Sequence, residues 1–327
     1  MAEEGRPPGS DPGPLLDPRP ALRLPAGDRF GADRSHPSHV LPLPPRAAGM
    51  LQVLYEIPGT AIRIHGFGLM LFLAFLAAMN LAAWLARRSK VDPNDVFDLA
   101  IWLIVGGLIG ARGFYVLQHR EAIDSFWDAF KVWEGGIVLY GSLIGAAAAF
   151  VLFWRVRRFP FRPMLDVAAP AMAVGVALGR IGCFLNGCCY GDTCDLPWAV
   201  TFPRGTLPWS DQVHSGLIGS DAPRSLPVHP TQLYSAIDGL ILTALLLAYF
   251  PLRRRDGEVM ALLLVTYPIT RFLIERLRDD EGVFFAGMTV SQNGSLLLLA
   301  IGLLGWAWLS RLPRGRFADT APAPSSG

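Results

Sequence analysis

Charge is scarce in this chain of 327 residues: 17% of positions are Asp, Glu, Lys or Arg, against ~25% in a typical soluble domain. The 29 basic and 27 acidic residues nearly cancel, so no field of one sign points to nucleic acid. Histidine is sparse too. The six are His36, His39, His65, His119, His214 and His229, none in the middle of an apolar run, which argues against a haem held between helices by paired imidazoles. The two halves of the chain lack the internal similarity of many secondary transporters. What is plentiful is apolar surface. Hydrophobic residues make up 52% before 34 glycines are added, and the mean hydropathy is +0.36, more than one soluble core can hide.

Residues 1–49 break from this composition. They hold 11 of the 27 prolines, with no Cys and no Trp, and bury too little to fold, so they read as a disordered tail. They lack the apolar run of a signal peptide. Met50, followed by Leu51-Gln52-Val53-Leu54, is a second natural start, so the tail is either an extension or a start-site artefact.

Windows long and apolar enough to cross a bilayer lie at about 66–86, 96–117, 136–154, 164–186, 233–251, 258–276 and 293–310, none with strand-like alternation. The fold class predicted is an all-α polytopic membrane protein of about seven spans, its membrane domain covering 50–312. Segments after spans one, three, five and seven, the last running into the C-terminal tail 313–327, carry thirteen bases, among them Arg87, Arg155, Arg253 and Arg311. The opposite segments carry six, including Arg120 and Arg204. The positive-inside rule then puts the N-terminus outside and the C-terminus in the cytoplasm, with 187–232 as one long extracytoplasmic loop.

Arginine inside an apolar span is costly, about 2.5–3.5 kcal/mol on insertion scales, and needs a partner or a task. Three occur: Arg112, Arg180 and Arg271. In the topology above each lies toward the outer end of its span. The odd-numbered spans bring His65, Tyr140, and His229 with Gln232 and Tyr234 to the same depth. Snorkelling and interfacial aromatics account for any one of these; six at one depth, with no matching set on the other side, favour a site. A guanidinium fork matches phosphate oxygens and stays charged in a low dielectric, and a phospholipid headgroup is the anion available there. Glycines such as Gly110, Gly187 and Gly191 serve either close lipid approach or ordinary helix packing.

Arg271 and Glu275 are one turn apart on one face, which reads first as an ion pair, and Pro268 kinks the same span. Cys183, Cys188, Cys189 and Cys194 fall together at the outer end of span four. Their spacing is a weak metal signal, and an extracytoplasmic position permits a disulfide such as Cys189 with Cys194.

The run Gly179-Arg180-Ile181-Gly182-Cys183-Phe184-Leu185-Asn186-Gly187-Cys188-Cys189-Tyr190-Gly191 resembles the signature of the bacterial phosphatidylglycerol:prolipoprotein diacylglyceryl transferase family. Gly110-Ala111-Arg112-Gly113-Phe114, Trp133-Glu134-Gly135-Gly136, His229-Pro230-Thr231-Gln232-Leu233-Tyr234 and Arg271-Phe272-Leu273-Ile274-Glu275 follow that family's other motifs, and the likeness spans about 50–310. The resemblance implies seven spans with the N-terminus outside, a place in the bacterial inner membrane, and two partners: phosphatidylglycerol and a prolipoprotein signal peptide bearing a lipobox cysteine. It implies transfer of diacylglyceryl to that thiol with release of glycerol phosphate, and no cofactor or metal.

Carried over residue by residue, Arg180 is the signature arginine and Arg271 the second essential one, both on the phosphate together with Arg112. Asn186 becomes a headgroup hydrogen-bonder, and Tyr140, His65 and Glu275 join the catalytic set. Gly187, Gly191, His229, Gln232, Tyr234 and Tyr267 line the site. Tyr140 stands where well-known members have His, Cys183 and Cys188 where they have Asn and Glu, and Phe67 where they have Tyr. The base that takes the thiol proton is therefore open among Tyr140, His65 and His229. Two other readings stay open: a paralogue that binds or cuts phospholipid without a protein thiol, and a redox or metal membrane protein built on the cysteines.

Overall fold

The computed structural model describes residues 53–56, 63–118, 138–278 and 282–320. The proline-rich stretch 1–49 and Trp133-Glu134-Gly135-Gly136 lie outside these. A helix forms on each of the seven apolar windows: α1 (Gly66–Arg88), α2 (Pro93–Gln118), α3 (Leu139–Arg157) and α4 (Phe161–Asn186), then, after a short α5 (Leu207–His214), α6 (Thr231–Tyr249), α7 (Glu258–Glu275) and α8 (Val290–Ser310). A last turn, α9, spans Phe317–Thr320. Among the described residues five helices are long and apolar enough to cross a membrane: α1, α2, α4, α6 with its extension to Leu252, and α8. Helix α7 has 18 residues but carries Glu258, Arg271 and Glu275. This fits a multi-pass membrane protein.

In α1 the buried face is mostly alanine, with Leu85 the one large side chain on it. Helix α1 buries Ala74, Ala82, Ala83 and Ala86 while Leu71, Phe72 and Leu73 face outward, because bilayer tails accept large apolar side chains and close helix approach needs small ones. The main pairings are α2 with α3, α1 with α4, α4 with α6 and α7 with α8, and α4 also touches α7. Helix α4 is the centre.

The α2–α3 pair closes through Gly106 and Gly110 on one side and Gly141 and Gly145 on the other. A methyl group on Gly145 would lie 2.8 Å from the Gly110 Cα and closer still to the Gly106 carbonyl. Gly110 thus serves packing. Overpacking of this kind costs about 1–3 kcal/mol, so Gly145→Ala is expected to lower the unfolding midpoint of the detergent-purified protein. Gly305→Ala, where the added methyl meets nothing within 4 Å, should leave it unchanged. Equal midpoints in the two variants would show that the glycine seam is not what holds the pair.

At the opposite end from the arginines, Asp166 of α4 is completely buried and caps a different helix. Its carboxylate accepts from the backbone N–H groups of Gly257 (2.8 Å), Val259 (2.9 Å) and Met260 (3.2 Å), satisfying the exposed donors of α7's first turn. Arg253 Nε lies 3.3 Å from the same carboxylate, and Arg253 Nη2 donates to Ser89 Oγ just past α1 at 3.0 Å. Beyond α8, residues 313–320 fold back here: Gly315 N–H bonds the Arg254 carbonyl and Phe317 N–H the Asp256 carboxylate.

Two β-pairs interrupt the helical pattern expected from the sequence. Strands β1 (Val53–Glu56) and β2 (Arg63–His65) pair antiparallel ahead of α1. Strands β3 (Val283–Phe285) and β4 (Met288–Thr289) form a hairpin ahead of α8. Its two turn residues, Ala286 and Gly287, both have positive φ (53° and 74°), the backbone that tight hairpins favour. Strands of two to four residues are too short to show an alternation. The loop 187–230 is also ordered, around a small core of Tyr190, Phe202 and Val228.

Candidate functional site

Arg180 lies six residues before the end of α4 and Arg112 six before the end of α2, about 9 Å along each axis at ~1.5 Å per residue. Arg271 lies four residues before the end of α7, about 6 Å by the same rise. The three differ in their surroundings. Arg112 sits over the Tyr115 ring, 5.0 Å from its centroid. Arg271 binds the Glu275 carboxylate and donates to Ser291 Oγ at the head of α8 at 2.9 Å. Arg180, half-buried on the central helix, has no hydrogen bond or ion pair with any described residue.

Glu275 holds the end of α7 together. It is fully buried and takes Arg271, Arg278 Nη1 at 3.5 Å and the Thr289 hydroxyl at 3.2 Å. Thr289 in turn caps α8 through a reciprocal bond with Gln292, the arrangement that satisfies two orphan N–H groups at a helix start. Both guanidiniums gather on one carboxylate, and Glu275 works as their anchor.

The segment after α4 is shaped by its glycines. Gly187 adopts a left-handed φ of +74° and ends the helix, so that the Cys188 N–H reaches back to the Cys183 carbonyl at 3.1 Å, a Schellman closure. Gly191 is enclosed: an added Cβ would lie 2.5 Å from the Leu277 carbonyl and 2.7 Å from His229 and Thr231 side-chain carbons. Backbone bonds then tie Gly191 to His229 and Asp192 to Leu277. The ends of α4 and α7 and the start of α6 are one unit.

The head of α6 clamps this turn. Gln232, completely buried, donates to the Cys188 carbonyl at 2.8 Å, and the Thr231 hydroxyl donates to the Cys189 carbonyl at 2.8 Å. Tyr234 accepts from Trp198 Nε1 at 2.7 Å, and its hydroxyl is 3.3 Å from His229 Nδ1. The sulfurs of Cys183, Cys188 and Cys189 all lie within 4.8 Å of one another. All four cysteines are free thiols, including Cys189 and Cys194. Cys188 Sγ donates to the Cys183 carbonyl at 3.7 Å, and the adjacent Cys183 and Cys189 thiols draw the Cys188 thiol below its usual range.

The other residues expected at the site are spread around this unit. His65 is exposed where β2 meets α1, and the neighbouring Phe67 ring lies against α4 at Gly182. Tyr140 is the second residue of α3, on the helix whose glycines meet α2. Tyr267 packs against the main apolar cluster. The sequence reading overlooked Asp238 of α6, whose carboxylate accepts from Thr270 Oγ1 at 2.9 Å, next in the chain to Arg271. A lone Asp in the apolar window 233–251 was the available signal. Ser291, Thr289 and Arg278 carried no such signal, since their roles arise only from contact with α7.

A family model described as prolipoprotein diacylglyceryl transferase matches residues 52–308. The chain belongs to this family. The match to the diacylglyceryl transferases takes in all seven long helices except the last residues of α8, and it begins after the proline-rich stretch. Among relatives, the phosphatidylglycerol--prolipoprotein diacylglyceryl transferase of Synechococcus elongatus is 34% identical over 289 residues, covering 84% of this chain and 96% of the relative. The protein of the same name from Clostridium tetani is 32% identical over 254 residues (78% and 96%). That from Legionella pneumophila is 33% identical over 261 residues (76% and 93%).

Proposed function

We propose that this transferase moves the diacylglyceryl group of phosphatidylglycerol onto the lipobox cysteine thiol of prolipoproteins in the bacterial inner membrane. The chain crosses that membrane seven times, with the N-terminus outside. The acceptor thiol loses its proton and attacks the glycerol carbon that bears the phosphate. The carbon–oxygen bond breaks, a thioether forms, and glycerol phosphate leaves with the electron pair. A cation on the phosphate lowers the barrier because negative charge grows on the leaving group.

Arg180 carries this reading: a guanidinium on the central helix, about two turns inside its end, with its donors uncommitted to any described residue. It binds the phosphate. Arg271, oriented by Glu275 and Ser291, contributes fixed positive charge to the same anion, and Arg112 completes the set. Asn186 at the end of α4 bonds the headgroup, and Gly191 and His229 shape the wall beside it. The base is one of Tyr140, His65 and His229, with Tyr234 setting the His229 ring through its hydroxyl.

The decisive assay follows labelled phosphatidylglycerol with purified protein and a lipobox peptide. Label is expected on the Cys peptide and not on the peptide carrying Ser instead, with glycerol phosphate released in equal amount. Release of glycerol phosphate in the absence of any peptide would overturn thiol transfer in favour of phospholipid cleavage.

A further inference from the structure

We propose that Cys183, Cys188 and Cys189 form a three-sulfur site for one thiophilic d10 cation, copper(I) or zinc. The three sulfurs lie within 4.8 Å of one another. A metal–sulfur bond of about 2.3 Å places ligand sulfurs about 3.8–4.0 Å apart in tetrahedral or trigonal geometry, so closure needs only small side-chain rotations. Soft thiolates select such ions over magnesium or calcium.

Backbone features hold the sulfurs in place. The Schellman closure at Gly187 brings Cys188 back over Cys183. Cys189 has φ +61°, a left-handed conformation that costs a non-glycine residue about 1 kcal/mol or more and marks functional sites when held by its surroundings. The bonds from Thr231 and Gln232 to the carbonyls of Cys189 and Cys188 supply that hold. The same clamp leaves Gln232 Oε1 buried with no partner among the described residues. Cys194 stands outside the trio. The cluster shares the turn after α4 with Asn186, but cation binding by the three sulfurs does not depend on the phosphate reading.

The test uses the reduced, detergent-purified full chain with copper(I) under argon and, separately, zinc. One equivalent of one ion is expected to remain after desalting, with X-ray absorption giving a sulfur first shell. The bound ion should slow maleimide labelling of three thiols in the wild type by at least about tenfold, a readout that needs no variant. Cys188→Ser and Cys189→Ser should each weaken binding about 100-fold or more, and Cys194→Ser should bind as the wild type does. Retention of neither ion, equal loss in Cys194→Ser, or a disulfide within the trio in protein purified without reductant would each overturn the site.

Discussion

Arg180→Ala is expected to lower diacylglyceryl transfer by about 100-fold or more, the range seen when one pre-positioned donor to a developing anion is removed. The unfolding midpoint should not move, because Arg180 ties no described residue to another. This separates it from Arg271, which holds both Glu275 and Ser291 and whose loss would leave a buried carboxylate short of a partner. Arg180→Lys should recover only part of the rate, since an ammonium lacks the planar fork that meets two phosphate oxygens. The check is the initial rate with labelled phosphatidylglycerol and lipobox peptide at saturating lipid. Wild-type rates in Arg180→Ala would sink the phosphate site.

The largest stability effect is expected far from that chemistry. Asp166→Ala removes the acceptor for three backbone N–H groups at the head of α7 and the counter-charge of Arg253, whose side chain is 4% exposed. Stripping one partner from a buried pair costs about 3–5 kcal/mol, because the remaining charge is stranded. A sharply lower midpoint in detergent and a poor yield of monodisperse protein should follow, while molecules that do fold keep normal turnover. Asp166→Asn retains one acceptor oxygen and should fall between. An unchanged midpoint in the alanine variant would mean that water or Asp256 takes over the role.

Periodicity and length made the helices legible. The window 258–276 became α7 at Glu258–Glu275, and 66–86 became Gly66–Arg88. The Arg271–Glu275 pair was also legible, because i and i+4 share a face whatever surrounds them. The sulfur cluster was not. Cys183 and Cys188 meet only because Gly187 turns the chain left-handed, and that turn is fixed by α6, more than forty residues on. Asp166 drew no reading from the sequence, since its partners lie across a helix pairing that no local pattern encodes. The β3–β4 hairpin escaped for want of length, although Ala286-Gly287 sits at its turn.

The capping of α7 by Asp166 also has a temporal side. Gly257 and Val259 follow Asp166 by 91 and 93 residues, which at ~5–20 residues per second is about 5–20 s of synthesis. For that interval the carboxylate has no N–H groups to accept from and no Arg253 beside it. An isolated carboxylate is expelled toward water. The tie between α4 and α7 through Asp166 therefore cannot close before α7's first turn has been synthesised.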